Sequence, residues 1–197
     1  MARSPFHLAK SGGVELMALI LQQPGAELSA DVMRLAASKG HIAMCQYLHS
    51  QQCPWDAGST ISAAYSGNVD LLRWLVFSGC PWNAEDLCIS AAHGGSVEML
   101  VLFQQQRLPL LSSIAMLTEM LDYAGANNKL AAAKWLREHG AAWPTVFTQR
   151  RWTGAVLEWA VAEGFTPTNT TMQVRAFLRC IDSYICSAAN SCWSKPT

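Results

Sequence analysis

Ser62 to Leu75 spells SAAYSGNVDLLRWL, and Ser90 to Phe103 spells SAAHGGSVEMLVLF. The same frame stands in LAASKGHIAMCQYL from Leu35 and in LAKSGGVELMALI from Leu8, so Gly12, Gly40, Gly67 and Gly95 recur at a nearly constant interval. A fixed period of this kind is the mark of a stacked repeat architecture. A fifth copy, KLAAAKWLREHGAAW, runs from Lys129 to Trp143, and a shorter, degenerate sixth, VLEWAVAEGF, begins at Val156.

Within each copy the apolar positions follow a helical spacing. Val69, Leu72 and Leu75 match Val14, Met17 and Ile20, then Ile42, Cys45 and Leu48, then Val97, Leu100 and Phe103. An i, i+3, i+6 stripe is one face of a helix. Ahead of it stand alanine pairs, Ala36-Ala37, Ala63-Ala64 and Ala91-Ala92, whose small side chains allow close helix packing. A glycine between two such apolar stretches fits a tight turn with positive φ, where a Cβ would be strained. Each unit therefore predicts a helix, a turn, a longer helix and a connection.

The connections carry a repeated word. Cys53-Pro54-Trp55-Asp56 returns one unit later as Cys80-Pro81-Trp82-Asn83, and Gly140-Ala141-Ala142-Trp143 holds the same place in the fifth copy. Proline blocks helix continuation, tryptophan supplies an apolar wedge, and Asp56 or Asn83 is placed to cap the next helix. Trp74, Trp135 and Trp159 share a different repeat position, beside the core stripe, and are expected to pack.

Ser4-Pro5-Phe6-His7-Leu8-Ala9 followed by Gly12 resembles the T-P-L-H-x-A-A-x-x-G opening of ankyrin repeats, with Ser4 as N-cap and Pro5 at the first helical position. The likeness spans about residues 3–167 and is carried by the four glycines with their alanines. Later copies lose the Pro-His pair, and the unit falls short of the family's about 33 residues. The missing residues belong where ankyrin repeats build a β-hairpin finger, so strand content near zero is expected. The resemblance implies an all-α, ankyrin-like helix-turn-helix solenoid with shortened or absent β-hairpins, of about six units over residues 1–168. Residues 169–190 have the amphipathic pattern of a C-terminal capping helix, and 191–197 read as a disordered tail.

Composition narrows the function classes. Hydrophobic residues make up 51% and charged residues 14%, and fourteen Lys and Arg balance fourteen Asp and Glu without a basic run. No nucleic-acid partner is expected. VELMALIL, from Val14 to Leu21, is too short to span a membrane, and no membrane partner is expected. Seven cysteines without C-x-x-C spacing suggest a reducing, intracellular compartment, cytoplasmic or nuclear. Cys53 and Cys80 are not expected to bridge, since helices stack about 8–10 Å apart and disulfide Cα atoms must approach within about 7 Å.

Chemistry finds little support. His93-Gly94-Gly95 echoes an esterase oxyanion loop, but the chain has no G-x-S-x-G nucleophile elbow. His41, Cys45 and His49 share a helical face, yet the outer two lie about 12 Å apart along the axis, too far to share one tetrahedral metal. No catalytic residue, metal, cofactor or small-molecule substrate is expected. The resemblance implies instead a non-catalytic protein–protein interaction module, a scaffold or adaptor that binds another protein along the concave surface of stacked helix pairs. The candidate partner-binding residues are Trp55, Asp56, Trp82, Asn83, Glu85 and Asp86 in the connections, with Tyr65 and His93 just before two of the shared glycines. Aromatic rings flanked by acids suit a basic or amphipathic partner segment. The alternative is a structural or self-associating piece of a larger repeat array.

Overall fold

The computed structural model describes residues 5–23, 27–106, 109–145, 152 and 154–165. The candidate N-cap Ser4, the capping helix at 169–190 and the tail at 191–197 lie outside them. Among the described residues the chain is helical, with no strand.

Five hairpins follow one another: α1 (Pro5–Ser11) with α2 (Val14–Leu21), α3 (Ala30–Ser38) with α4 (Ile42–Ser50), α5 (Ala57–Ser66) with α6 (Val69–Phe77), α7 (Ala84–Gly94) with α8 (Val97–Gln105), and α9 (Ile114–Ala126) with α10 (Leu130–Glu138). A short 3-10 turn, Pro109–Ser112, precedes α9, and α11 (Gly154–Ala162) lies against α10. These helices run 7 to 13 residues, lengths that are marginal in isolation. Stacking must hold them.

The inner helices α1, α3, α5, α7 and α9 pack side by side in chain order, and each outer helix folds back on its own inner partner. Close approach is possible because Ala36, Ala37, Ala63, Ala64, Ala91, Ala92 and Ala124 present only a methyl group, and all are fully buried. In the fifth hairpin Gly125 takes the second alanine's place. A Cβ there would lie 2.1 Å from the Trp152 ring, so that tryptophan needs the bare backbone. The outer helices contribute the expected stripe, and it is wider than i, i+3, i+6: Met44, Leu71 and Met99 are as deeply buried as Cys45, Leu75 and Leu100. Burying each large apolar side chain contributes about 1.5–3 kcal/mol.

The shared glycines turn as their spacing requires. Gly67 sits at φ 74°, and Gly12, Gly40 and Gly95 are alike. Returning amide bonds close these turns, His41 to the Ala36 carbonyl at 3.1 Å and Ser96 to that of Ala91 at 3.1 Å. In the fifth hairpin Asn128, φ 56°, occupies the glycine position, and Lys129 N–H bonds the Ala124 carbonyl at 2.8 Å. Asparagine tolerates the left-handed region better than most residues. The step from Gly95 to Asn128 is longer than those between the shared glycines, and the extra length forms the 3-10 turn and the 13-residue α9.

In two hairpins the residue after the turn reaches backward. His41 Nε2–H donates to the Lys10 carbonyl at 3.1 Å, and Asn68 Nδ2 donates to that of Gly40 at 3.1 Å while its Oδ1 accepts the Leu71 amide at 2.9 Å. Asn128, itself the turn residue, faces the other way: its Oδ1 accepts the amide of the later Val156 at 3.1 Å. Ser96 differs: its hydroxyl stays within its own helix, accepting the Met99 amide at 3.3 Å.

Candidate functional site

Three of the outer helices end in one motif before a joint tryptophan. A left-handed residue, Gln52 (φ 58°), Gly79 (φ 86°) or Gly140 (φ 97°), is followed by an amide that bonds back at 3.0 Å, Cys53 to Leu48, Cys80 to Leu75 and Ala141 to Leu136. Three residues further on stand Trp55, Trp82 and Trp143. What surrounds each ring is set by two repeat positions. One lies three residues before the left-handed residue on the preceding outer helix, and the other lies on the next outer helix.

At Trp55 these positions are His49 and Trp74. The imidazole stacks on the indole at 4.1 Å with an interplanar angle of 15°, and Trp74 meets it edge-on at 6.0 Å. At Trp143 they are Arg137 and Trp159, with the guanidinium 4.1 Å over the ring and the second indole at 5.6 Å. Trp152 and Phe165 complete that cluster at 6.3 and 5.2 Å, and Trp152 Nε1–H donates to the buried Asp122 carboxylate at 3.0 Å.

At Trp82 the same two positions hold Val76 and Leu102. Neither fills the space of a ring. A groove of about 430 Å³ opens between α6 and α8, lined by Leu72, Val76, Phe77, Trp82, Leu102 and Phe103, with Arg73 at its edge. Trp82 is 48% exposed and Phe77 is 89% exposed. Arg73 makes no ion pair with the described residues, among which only Arg34 does, to Asp31 and Asp56.

The eight predicted site residues fall at two ends of the inner helices. Trp55, Asp56, Trp82, Asn83, Glu85 and Asp86 gather at the joints. Tyr65 and His93 lie at the far end, roughly 15 Å away along the ten-residue α5. There Tyr65 meets His93 edge-on at 5.0 Å and His93 meets Tyr123 at 5.9 Å, a separate row of rings along the turns. Trp55 is partly buried, covered by His49 and Trp74. Asn83 caps α7 by accepting the Glu85 amide at 3.0 Å, and Glu85 and Asp86 occupy the first turn, where the helix dipole favours acids. Asp56 stands at the N-cap of α5 but makes no capping bond; its carboxylate turns to Arg34 at 3.2 Å. Sequence reasoning passed over Phe77 and Arg73. The available signal was Phe77 itself, a large ring where the preceding unit has Ser50.

The joint cysteines are thiols engaged with backbone: Cys53 donates to the Ser29 carbonyl and Cys80 to that of Asp56, both at 3.4 Å. Burial pushes both up to about 11, with the nearby Asp56 adding to the effect at Cys80. Such thiols hold their protons at neutral pH and are poor nucleophiles. Among the described residues no three His, Cys, Asp or Glu side chains converge on a metal position. None of the described helices is long and apolar enough to cross a membrane.

No family model matches this chain, and no curated protein does. Among solved structures, the crystal structure of the human ASB11 ankyrin repeat domain aligns with 85% of this chain and 100% of its own, at 16% identity and a TM-score of 0.47. The chain's own geometry carries the assignment: left-handed turns at a fixed period, stacked alanines and paired short helices make it an ankyrin-like stack of helical hairpins.

Proposed function

We propose that this chain is a non-catalytic protein-interaction module whose partner docks at the Trp82 joint. The observation that supports the reading is the open groove, flanked by a Phe77 that is 89% exposed, in a molecule whose two other tryptophan joints are closed by their own rings. An exposed apolar patch centred on aromatic residues is the usual anchor of a protein interface. The ring sits on a stacked helical frame, so little ordering entropy is lost on binding. The test is affinity capture from native cells with wild type and with a Phe77→Ser, Trp82→Ala double variant. Specific partners should be lost from the variant while its helical circular dichroism is unchanged. Capture of every partner by the folded double variant would refute the site.

A second reading, self-association as part of a larger array, is favoured by one observation. Phe6, Leu16 and Leu19 on the first hairpin are exposed. Mass that rises with concentration in light scattering, and that falls back when Leu19 is changed to Ser, would support it.

A further inference from the structure

We infer that the Trp82 joint receives a short acidic-aromatic segment: one aromatic side chain of the partner seated between Phe77 and Trp82, with an aspartate or glutamate nearby on Arg73. The inference rests on the interaction-module reading and narrows it to a partner chemistry. The molecule itself shows what completes such a joint. At Trp55 the covering groups are an imidazole and an indole, and at Trp143 a guanidinium and an indole. Both joints place an indole from the next outer helix against the joint tryptophan. At Trp82 that indole is replaced by Leu102 and the stacked planar group by Val76, which leaves a ring-sized gap in an otherwise repeated arrangement. A groove of about 430 Å³ accommodates one such side chain and its flanks. Offset or edge-on packing of a partner ring against Phe77 and Trp82 restores the geometry that the other joints adopt.

The charge of the segment follows from Arg73. It lines the groove, is exposed, and has no carboxylate within ion-pair distance among the described residues, Asp70 one turn earlier on α6 included. A guanidinium beside an apolar surface favours a carboxylate, which it can hold through two parallel hydrogen bonds. Glu85 and Asp86 do not line the groove, and their charge is placed in the first turn of α7. A basic segment would meet Arg73 first.

A random short-peptide phage library panned on the full chain tests this. Wild type is expected to enrich peptides that place Trp, Phe or Tyr within a turn of Asp or Glu, and a synthetic consensus peptide should lose all measurable binding to Trp82→Ala. The same peptide should bind Arg73→Glu about tenfold or more weakly, and its acid-to-lysine version should recover on that variant. Arg73 makes no hydrogen bond or ion pair among the described residues, so the charge reversal leaves the fold intact, as circular dichroism will report. Peptides that bind through Trp82 without an acid, that carry Arg or Lys in its place, or that are indifferent to Arg73→Glu overturn this inference and leave the module reading standing. No enrichment, or enrichment equally strong on Trp82→Ala, overturns both. A concentration-dependent dimer abolished by Trp82→Ala makes a second copy the occupant, and that also overturns it.

Discussion

The Trp55 and Trp82 joints are spelled almost alike and end up with opposite surroundings. Both have Cys-Pro-Trp, both have a left-handed residue before the cysteine, and both thiols bond the backbone carbonyl of the preceding unit, Ser29 for one and Asp56 for the other. The covering residues differ, His49 and Trp74 in one, Val76 and Leu102 in the other, and these sit on the outer helices before and after the ring they cover. A repeated motif thus fixes a position in the fold. Whether that position is closed or open depends on residues that the motif does not contain.

Removing each ring should separate the joints most strongly. Trp55→Ala should cost about 2–3 kcal/mol, below the ~3–5 kcal/mol of a fully buried tryptophan because the ring is only half-buried, and Trp82→Ala less than about 1 kcal/mol. Urea unfolding measures both, and equal losses would erase the distinction. Closing the open joint is the next largest change. Val76→His with Leu102→Trp copies the Trp55 arrangement and should stabilise the protein by about 0.5–1.5 kcal/mol while abolishing partner capture; capture that persists would show that binding does not use the groove. The left-handed residue gives a smaller contrast, Gln52 at one joint and Gly79 at the other. Gln52→Gly should stabilise by up to about 1 kcal/mol and Gly79→Gln destabilise by a similar amount, read from the unfolding midpoint.

The last effect should be shared by the two joints. Cys53 and Cys80 are both raised from 9.0 to about 11 by burial, so the folded chain keeps protons that the unfolded chain releases. Their contribution is fully present below pH 9 and is lost as pH rises from 9 through about 11. Unfolding midpoints across that window should fall, and Cys53→Ala and Cys80→Ala should each flatten the decline to a similar degree. A flat wild-type profile would contradict the burial of these thiols.

The helix pairs could be foreseen because steric demands write them into local sequence: two small residues where helices touch, glycine where φ turns positive, an apolar face of helical period. The fifth inner helix escaped notice because Asn128 does the work of glycine and the unit is lengthened by the turn at Pro109–Ser112, which breaks the period. At the site, Trp82 was legible as a joint aromatic and Asn83 as a cap. The openness of the joint was not, since it follows from what α8 places opposite. Asp56 misled for a similar reason: Arg34, from the neighbouring helix α3, draws its carboxylate away from the amides it was placed to cap. Tyr65 and His93 were legible as residues of the inter-helix turns, since each stands just before a shared glycine, but their ring contacts with each other and with Tyr123 come from the stacking of successive hairpins.

The hydroxyl of Ser96, which stays at home where His41 and Asn68 reach back, has a mechanical meaning. Between the third and fourth hairpins the outer layer has neither the ring sandwich nor the backward tether, while the inner helices remain in full contact. At that seam the described contacts between the two hairpins are carried by the inner helices, α5 against α7. A partner side chain lodged there would supply the outer-layer bridge that His49 with Trp74, and Arg137 with Trp159, already supply at the other two joints.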